Sequence, residues 1–308
     1  MAEKTVSRRW FLMGTAATVG AMAGTAAVGQ DAAQPTSPRG PSVSPNEKLN
    51  IAGIGVGGQG GRDLDNIGTE NVVALCDVDD AHAAATYERY PNAAKYRDYR
   101  VMLEKQKDID AVVIATPDHL HAVVSMTAIQ LGKHVYCEKP LTHSIYEARV
   151  LAQAARDAKV ATQMGNHGQA SEESRLLCET IWDGAIGNVH TIHAGSKAIN
   201  TGLDNLEKIK TPVPTPPELN WDVWLGPTAY RPFHPAYHPF TWRGWTPFGN
   251  GTLADWACHV LDPVAWALDL GTPKTIRAEA KDYDPKKHAD VFPRGDIVTY
   301  EFPAKGKR

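Results

Sequence analysis

The sequence predicts an α/β fold of two domains, a doubly wound parallel-sheet domain followed by an α+β domain with an open, mostly antiparallel sheet. Three observations support this. Short apolar runs alternate with helical patterns from Leu49 to about residue 170. A glycine-rich turn directly follows the first run. Beyond residue 170 the segments become strand-like and are separated by an arm rich in Pro, Trp, Tyr and His at 211–249.

Residues 1–29 are predicted to be a twin-arginine signal peptide. Arg8 and Arg9 precede a weakly apolar, charge-free stretch from Met13 to Val28. That stretch contains Gly, Ala and Thr rather than Leu and Ile, which favours an export signal over a transmembrane anchor. We therefore expect an exported, periplasmic protein that engages the twin-arginine translocation machinery. Residues 30–47 hold four prolines among small residues and are predicted to form a disordered linker.

The first domain, residues 48–170, is predicted to contain five strands and four helices. The strands are expected at Leu49–Ile54, Val72–Cys76, Ala111–Ala115, His134–Cys137 and Val160–Met164. The helices are expected at Arg62–Ile67, Asp80–Tyr90, His119–Leu131 and Ile145–Asp157. Alternation at this spacing predicts parallel pairing.

The second domain, residues 171–308, is predicted to begin with a helix at Glu172–Trp182. Strands are expected at Val189–Gly195, Thr275–Lys281 and Asp296–Phe302. So few strands would leave a long unpaired edge, so we expect the domain to be incomplete and the sequence to be truncated at its carboxyl end.

The glycine-rich turn predicts a dinucleotide site of the Rossmann type. Gly53, Gly55 and Gly58 match G-x-G-x-x-G between a strand and a helix, and the turn also includes Val56 and Gly57. We expect Gly53 to permit the tight turn, Gly55 to let the backbone approach a pyrophosphate, and Gly58 to let the helix pack on the strand.

Asp77 ends the second predicted strand, where an acidic residue hydrogen-bonds the adenosine ribose. Its carboxylate would repel a 2′-phosphate and no arginine follows it, so NAD is favoured over NADP. The alternative is that Asp77 caps the next helix, although Asp79 or Asp80 would serve equally well.

Two further turns follow strands of the first domain. Thr116 and Pro117 precede Asp118, which can cap a helix, and His121, which we expect to line the cofactor cleft. Glu138 and Lys139 precede Pro140 at the end of the fourth strand. A lysine there points into the ligand crevice, although a surface Glu-Lys pair is the simpler alternative.

A second distinctive run lies at 249–259. Asp255 and His259 are four residues apart and share a helix face, so the carboxylate can orient the imidazole for acid–base catalysis. A surface pair or a helix cap would give the same spacing. Metal binding is not predicted at this or any other histidine group, and the near-neutral charge balance, a net −3, gives no reason to expect nucleic acid.

These motifs together resemble the Gfo/Idh/MocA oxidoreductase family, and the export signal resembles that of its exported bacterial members. The resemblance implies NAD contacts by the glycine-rich turn, Thr116 and Glu138. It also implies a role for Lys139 beside a substrate hydroxyl, with Asp255 and His259 across the cleft. Substrates of the family are mainly sugars and cyclitols, and the second domain often forms the contact of a homo-oligomer. We expect the Lys139–Pro140 bond to be cis, as in relatives.

The predicted reaction is hydride transfer at a secondary alcohol, with His259 as general base and Lys139 stabilising the alkoxide, or with these roles exchanged. Substrate contacts are expected from His167, Tyr237, Trp242 and Arg243, because sugars need flat apolar faces and polar groups. For any single tryptophan of the arm, packing in the second domain is the favoured interpretation. Free NAD is scarce outside the cytoplasm, so the cofactor is expected to stay bound. An NAD-dependent glycosidase that oxidises its sugar transiently, and a non-catalytic sugar-binding protein, are the alternatives.

Overall fold

A computed structural model describes residues 47–196 and 202–304. The predicted signal peptide and all but the last residue of the predicted linker lie outside this part of the chain. Within the described ranges, no helix is long and apolar enough to cross a membrane.

The first domain is built on a six-stranded parallel sheet with the strand order β3-β2-β1-β4-β5-β6. The strands are β1 Asn50–Ile54, β2 Asn71–Cys76, β3 Ala94–Tyr96, β4 Ala111–Ile114, β5 His134–Cys137 and β6 Thr162–Met164. This order confirms the doubly wound prediction, with its topological switch between β1 and β4. Five of these strands match predicted ones; the short edge strand β3 was not predicted.

Five helices cover the two faces of this sheet. They are α1 Gln59–Asn66, α2 Asp80–Arg89, α3 Tyr99–Lys105, α4 Asp118–Gln130 and α5 Ile145–Ala158. Helix α3 was not predicted. Helix α2 is capped by Asp79, whose Oδ1 accepts the His82 N–H at 3.0 Å, so the alternative that Asp77 caps it is wrong. Helix α5 begins with a reciprocal capping box between Ser144 and Glu147.

The sheet is buried on both faces, which explains its continuous apolar strand sequences. Alternate residues of β1 and β4 belong to different cores. Ala52, Ile54 and Val112 face one of them, whereas Ile51 and Val113 face the other. The buried sheet fixes the carboxyl ends of its strands, where the functional turns begin.

In its described residues, the second domain contains the predicted helix, three further helices and a two-stranded antiparallel ribbon. Its elements are α6 Glu172–Trp182, α7 Trp221–Leu225, α8 Gly251–Val260, α9 Asp262–Leu268, β7 Thr275–Ala280 and β8 Asp296–Glu301. Short 3-10 turns lie at Gly202–Asn205, Lys208–Lys210 and Thr241–Gly244, and another at His167–Ala170 ends the first domain. The strand predicted at Val189–Gly195 is wrong: residues 190–196 are exposed and pair with no strand in the described ranges, so their alternation has no face to bury.

The aromatic arm folds into a core of its own. Trp221 and Trp224 stack with ring centroids 4.5 Å apart, and Trp224 and Trp245 are almost fully buried. Phe248 is buried between Trp224 and Tyr237. The arm therefore forms a wall of packed aromatic rings, which agrees with the core interpretation of its tryptophans.

Candidate active site

The carboxyl ends of the parallel strands open into a cleft of about 490 Å³ between the two domains. The cleft contains most of the residues predicted to bind cofactor or substrate. These are Gly55, Gly57, Gly58, Asp77, Thr116, Pro117, His121, Glu138, Lys139, His167, Trp242, Arg243 and His259. Four predicted residues do not line the cleft: Gly53 and Val56, which belong to the glycine-rich turn, and Tyr237 and Asp255 of the second domain. Most of the predicted site is thus brought together in one place.

The glycine-rich turn forms an open cradle at the amino end of α1. Gly55 has a φ of 78°, and a Cβ on it would lie 2.8 Å from the Ala115 backbone, so only glycine fits there. Gly58 has a φ of 65° and no side chain caps the helix that follows it. The first N–H groups of α1 are therefore available to an anion such as a pyrophosphate.

Close packing of α1 on the turn depends on a glycine that was not predicted. A Cβ on Gly60 would lie 2.1 Å from the Gly55 carbonyl oxygen, whereas one on Gly58 would meet nothing nearer than 3.7 Å. The role expected of Gly58 therefore belongs to Gly60. Gly53 has a packing role as well, because a Cβ there would collide with Val56 and Leu64.

Asp77 joins the glycine-rich turn to the end of β2. Its Oδ2 accepts the Gly57 N–H at 2.9 Å and its Oδ1 accepts the Asp79 N–H at 3.0 Å. Burial raises the pKa of Asp77, and the two N–H donors oppose that rise. The carboxylate lines the cleft and retains lone pairs, as a ribose-binding acid requires.

The cleft fits a dinucleotide by its own chemistry. The Gly55–Gly58 cradle presents backbone without side chains, and Asp77 provides acceptors beside it. Thr116 Oγ1 is buried in the cleft wall and has no hydrogen-bond partner among the described residues. A buried hydroxyl without a partner is costly unless a ligand completes it. The glycine cradle, Asp77 and Thr116 would therefore hold NAD.

His121 connects two of the predicted turns. Its Nδ1 lies 2.7 Å from the Pro140 carbonyl oxygen and its Nε2 lies 2.8 Å from that of Thr116. Burial lowers the pKa of this imidazole. The buried ring lies between the loop after β4 and the loop after β5, and as a neutral imidazole it donates to one of the two carbonyl oxygens. His121 therefore helps to position these loops in addition to lining the cleft.

Lys139 extends from the end of β5 to the second domain. The Lys139–Pro140 bond is cis, as predicted. The Lys139 ammonium donates to the Asp255 backbone carbonyl at 2.9 Å and forms a short ion pair with the Asp255 carboxylate. Glu138 lies beside it, and burial together with Asp63 raises the pKa of Glu138. Lys139 is thus a cleft residue with a fixed counter-ion, rather than part of a surface pair.

The hypothesis that Asp255 orients His259 has to be revised. Besides its Lys139 partner, the Asp255 carboxylate lies 3.7 Å from Arg243 Nε. Asp255 and His259 share α8 as predicted, but the carboxylate forms its ion pairs with Lys139 and Arg243. Asp255 therefore positions Lys139 and Arg243, and acts on His259 through its charge.

His259 and His167 form a pair on the substrate side of the cleft, with ring centroids 5.3 Å apart. Burial lowers the pKa of His259 to about 4, with Lys139 and His167 adding to the effect and Asp255 opposing it. Burial and Lys139 lower the pKa of His167 in the same way. Both imidazoles are consequently neutral near pH 7 and can accept a proton.

The expected substrate residues of the arm divide into two groups. The Arg243 guanidinium lies over the rings of Trp242 and Phe240, at 4.1 and 4.5 Å, and all three line the cleft. Tyr237 is only 3% exposed and packs against Trp245 and Phe248. It belongs to the aromatic core, so the structure does not support its prediction as a substrate contact.

Contacts from the start of α4 attach the second domain to the first. Asp118 does not cap α4; its Oδ2 accepts the Asn250 N–H at 3.1 Å. The two ring nitrogens of His119 lie 2.9 and 3.2 Å from the carbonyl oxygens of Trp224 and Phe248, and the neutral imidazole donates to one of them. Burial raises the pKa of Asp118 to about 8, and the nearby Asp255 adds to the rise. These contacts fix the beginning of α8, which carries Asp255 and His259.

Comparison with known proteins identifies the class of protein that this fold and site define. Residues 49–166 match a family model described as an oxidoreductase family with an NAD-binding Rossmann fold, and residues 191–304 match the C-terminal α/β domain of that family. The chain belongs to the Gfo/Idh/MocA family.

Individual relatives agree with this assignment. An inositol 2-dehydrogenase of Salmonella typhimurium is 32% identical over 47% of this chain and 44% of its own length. A D-glucoside 3-dehydrogenase of Escherichia coli is 24% identical over 74% of this chain and 56% of its own. The crystal structure of a WlbA dehydrogenase from Bordetella pertussis, in complex with NADH and UDP-GlcNAcA, superposes with a TM-score of 0.60 at 17% identity, over 83% of this chain and 69% of that one. The chain spans about half the length of these two curated relatives.

Proposed function

We propose that this chain is an NAD-dependent oxidoreductase that acts on a secondary alcohol of a sugar, cyclitol or related polyol. The observation that carries the proposal is the placement of Lys139 and His259 in the same cleft as the glycine cradle and Asp77. When bound, NAD supplies the acceptor or donor of the transferred hydride. The relatives named for inositol and glucoside oxidation support the substrate class.

Lys139 and His259 have distinct tasks in this proposal. The Asp255 carboxylate is the counter-ion of an ammonium group, so Lys139 is assigned to donate a hydrogen bond to the substrate oxygen and to stabilise its negative charge. His259 is neutral near pH 7 and takes the hydroxyl proton as general base. His167 lies against the His259 ring and is assigned to orient the substrate.

We assign the binding of the sugar to three residues of the arm, Phe240, Trp242 and Arg243. Their stacked arrangement presents a flat apolar face with a cation above it, and sugars need both apolar faces and hydrogen-bond donors. Asp255 pairs with both Arg243 and Lys139. The residue that contacts the sugar is therefore held in position relative to the lysine that contacts the reacting oxygen.

We further propose that the protein is exported by the twin-arginine pathway with its cofactor already bound and that the cofactor is retained through turnover. The arginine pair in residues 1–29 and the scarcity of NAD outside the cytoplasm support this. A retained cofactor must return to its starting redox state, which favours coupled oxidation and reduction of two sugars.

The test is to denature the purified protein, identify the released nucleotide by mass spectrometry, and then add sugars to the native protein while recording nicotinamide absorbance. We expect NAD to be released and reduced NAD to form on the protein with at least one sugar or cyclitol. Protein that neither carries nor binds NAD would contradict the proposal and favour a sugar-binding protein. Phenol released from aryl glycosides without added NAD would instead indicate glycosidic cleavage.

A further inference from the structure

One segment of the second domain crosses the end of the cleft that contains Asp77, where Rossmann folds bind adenosine. We call this segment, Glu218–Gly226, the strap. On one side the strap joins the loop between β2 and α2. The Asn220 N–H donates to the Val78 carbonyl at 2.8 Å and the Asp80 N–H donates to the Glu218 carbonyl at 3.3 Å. Asp79 and Leu219 form an antiparallel bridge between these contacts.

On its other side the strap is joined to the beginning of α4. The Trp224 carbonyl oxygen lies 2.9 Å from His119 Nε2. Gly226 packs so closely on Leu120 that a Cβ there would lie 2.4 Å from Leu120 Cδ2. The loops after β2 and β4 form the two walls of the adenosine end of the cleft, so the strap connects both walls.

His238, farther along the arm, adds a second connection. Its Nε2 lies 2.7 Å from Asp79 Oδ2, and both side chains are nearly buried. Its Nδ1 is buried and has no hydrogen-bond partner within the described ranges. His238 lines the cleft beside Asp77 and His82, so this nitrogen is placed to pair with a ligand rather than with the protein.

We propose that the strap and His238 close the adenosine end of the cleft over NAD, and that NAD leaves only when these contacts break. The inference rests on the proposed function, because it requires NAD to be the bound nucleotide. It assigns cofactor retention to particular residues that lie outside the glycine-rich turn and outside the catalytic group.

The aromatic core on which the strap packs explains why opening of the strap should be slow. The strap packs into the aromatic core through Trp221 and Trp224, which are 6% and 1% exposed. Moving it away from Val78 and His119 therefore disturbs this buried core as well as breaking hydrogen bonds. Release of NAD is then limited by opening of the protein, and not by the strength of its pyrophosphate contacts alone.

The experiment measures exchange of bound NAD against a fluorescent NAD analogue in the whole holoprotein. His238→Ala removes the contact with Asp79, and His238→Phe removes the same hydrogen bond while keeping a ring in the core. We expect both variants to release NAD about tenfold faster than the parent protein. This factor corresponds to a decrease of about 1.4 kcal/mol in the activation free energy of NAD release. His234→Ala is the matched control, because His234 lies on the same arm and its Nδ1 accepts a local hydrogen bond from the Ala236 N–H.

The possible outcomes distinguish failure of the strap proposal from failure of the proposed oxidoreductase function. If both His238 variants exchanged NAD at the parental rate, with unchanged circular dichroism, the proposal that the strap retains NAD would be overturned. If the parent protein bound NAD but exchanged it within the mixing time, the strap proposal would also be overturned, and the oxidoreductase proposal would stand. Parent protein that binds no NAD would overturn the proposed function itself.

Discussion

At the scale of single residues, Lys139 and Asp255 show how far sequence reasoning reaches. Lys139 directly follows Glu138 at the end of a predicted strand, and the ends of parallel strands meet at a ligand crevice, so its position was predictable. The partner of Asp255 was not. Residues four apart on a helix can meet each other, but helix periodicity does not say what another domain places against them. The Asp255 carboxylate faces Lys139, which is 116 positions away in the first domain, and Arg243, which precedes α8 in the same domain.

His119 leads to a prediction about acid stability. Burial lowers its pKa to about 4, whereas an unfolded histidine titrates near 6.5. Between these values the unfolded chain binds a proton that the folded chain does not, so the stabilising contribution is present above about pH 6.5 and is lost as the pH falls toward 4. We expect this residue to lower the free energy of unfolding by about 2 kcal/mol between pH 7 and pH 5.

Urea denaturation at these two pH values measures the effect. His119→Asn should reduce the pH dependence of the unfolding free energy by that amount, whatever its effect at pH 7. His193→Asn, at an exposed position, should leave the dependence as in the parent protein. An unchanged dependence in His119→Asn would show that this imidazole is not kept neutral by burial.

At the scale of secondary-structure elements, the longer and more buried strands were the ones that the sequence predicted correctly. The buried strands β1, β2, β4 and β5 are apolar runs and were located within one or two residues. Strand β3 has three residues, Ala94–Tyr96, and the middle one is exposed, so it offers no periodic pattern. The strand expected at Val189–Gly195 shows the opposite error, because an alternating pattern forms a strand only where a partner and a buried face exist.

Gly60 provides a test at the level of helix packing. An alanine there would place Cβ 2.1 Å from the Gly55 carbonyl oxygen, so α1 must move away from the glycine cradle. We expect Gly60→Ala to cost about 1–3 kcal/mol in the free energy of unfolding and to weaken NAD binding, measured by denaturation and by titration with NAD. Gly271→Ala is the control, since a Cβ on Gly271 meets nothing within 4 Å. Equal stability and affinity in both variants would mean that close packing at Gly60 is unimportant.

At the scale of the whole molecule, the relation between the domains was the least predictable feature. The family resemblance implied that residues of the two domains share one cleft, and the structure places Lys139 and His259 in the same cleft. The contacts of the strap and of His119 join residues that are more than 100 positions apart. Local sequence patterns do not predict such partners. The family assignment identifies both domains.

The central claim is that Lys139 and His259 act on a substrate hydroxyl beside NAD. It is tested most directly by the rate of single-turnover reduction of bound NAD, measured in rapid-mixing experiments with a sugar that the parent protein oxidises. Lys139→Met and His259→Asn should each lower that rate by about 10²–10⁴-fold while the nucleotide content, measured after denaturation, stays at the parental level. Parental rates in both variants, with NAD still bound, would contradict the account.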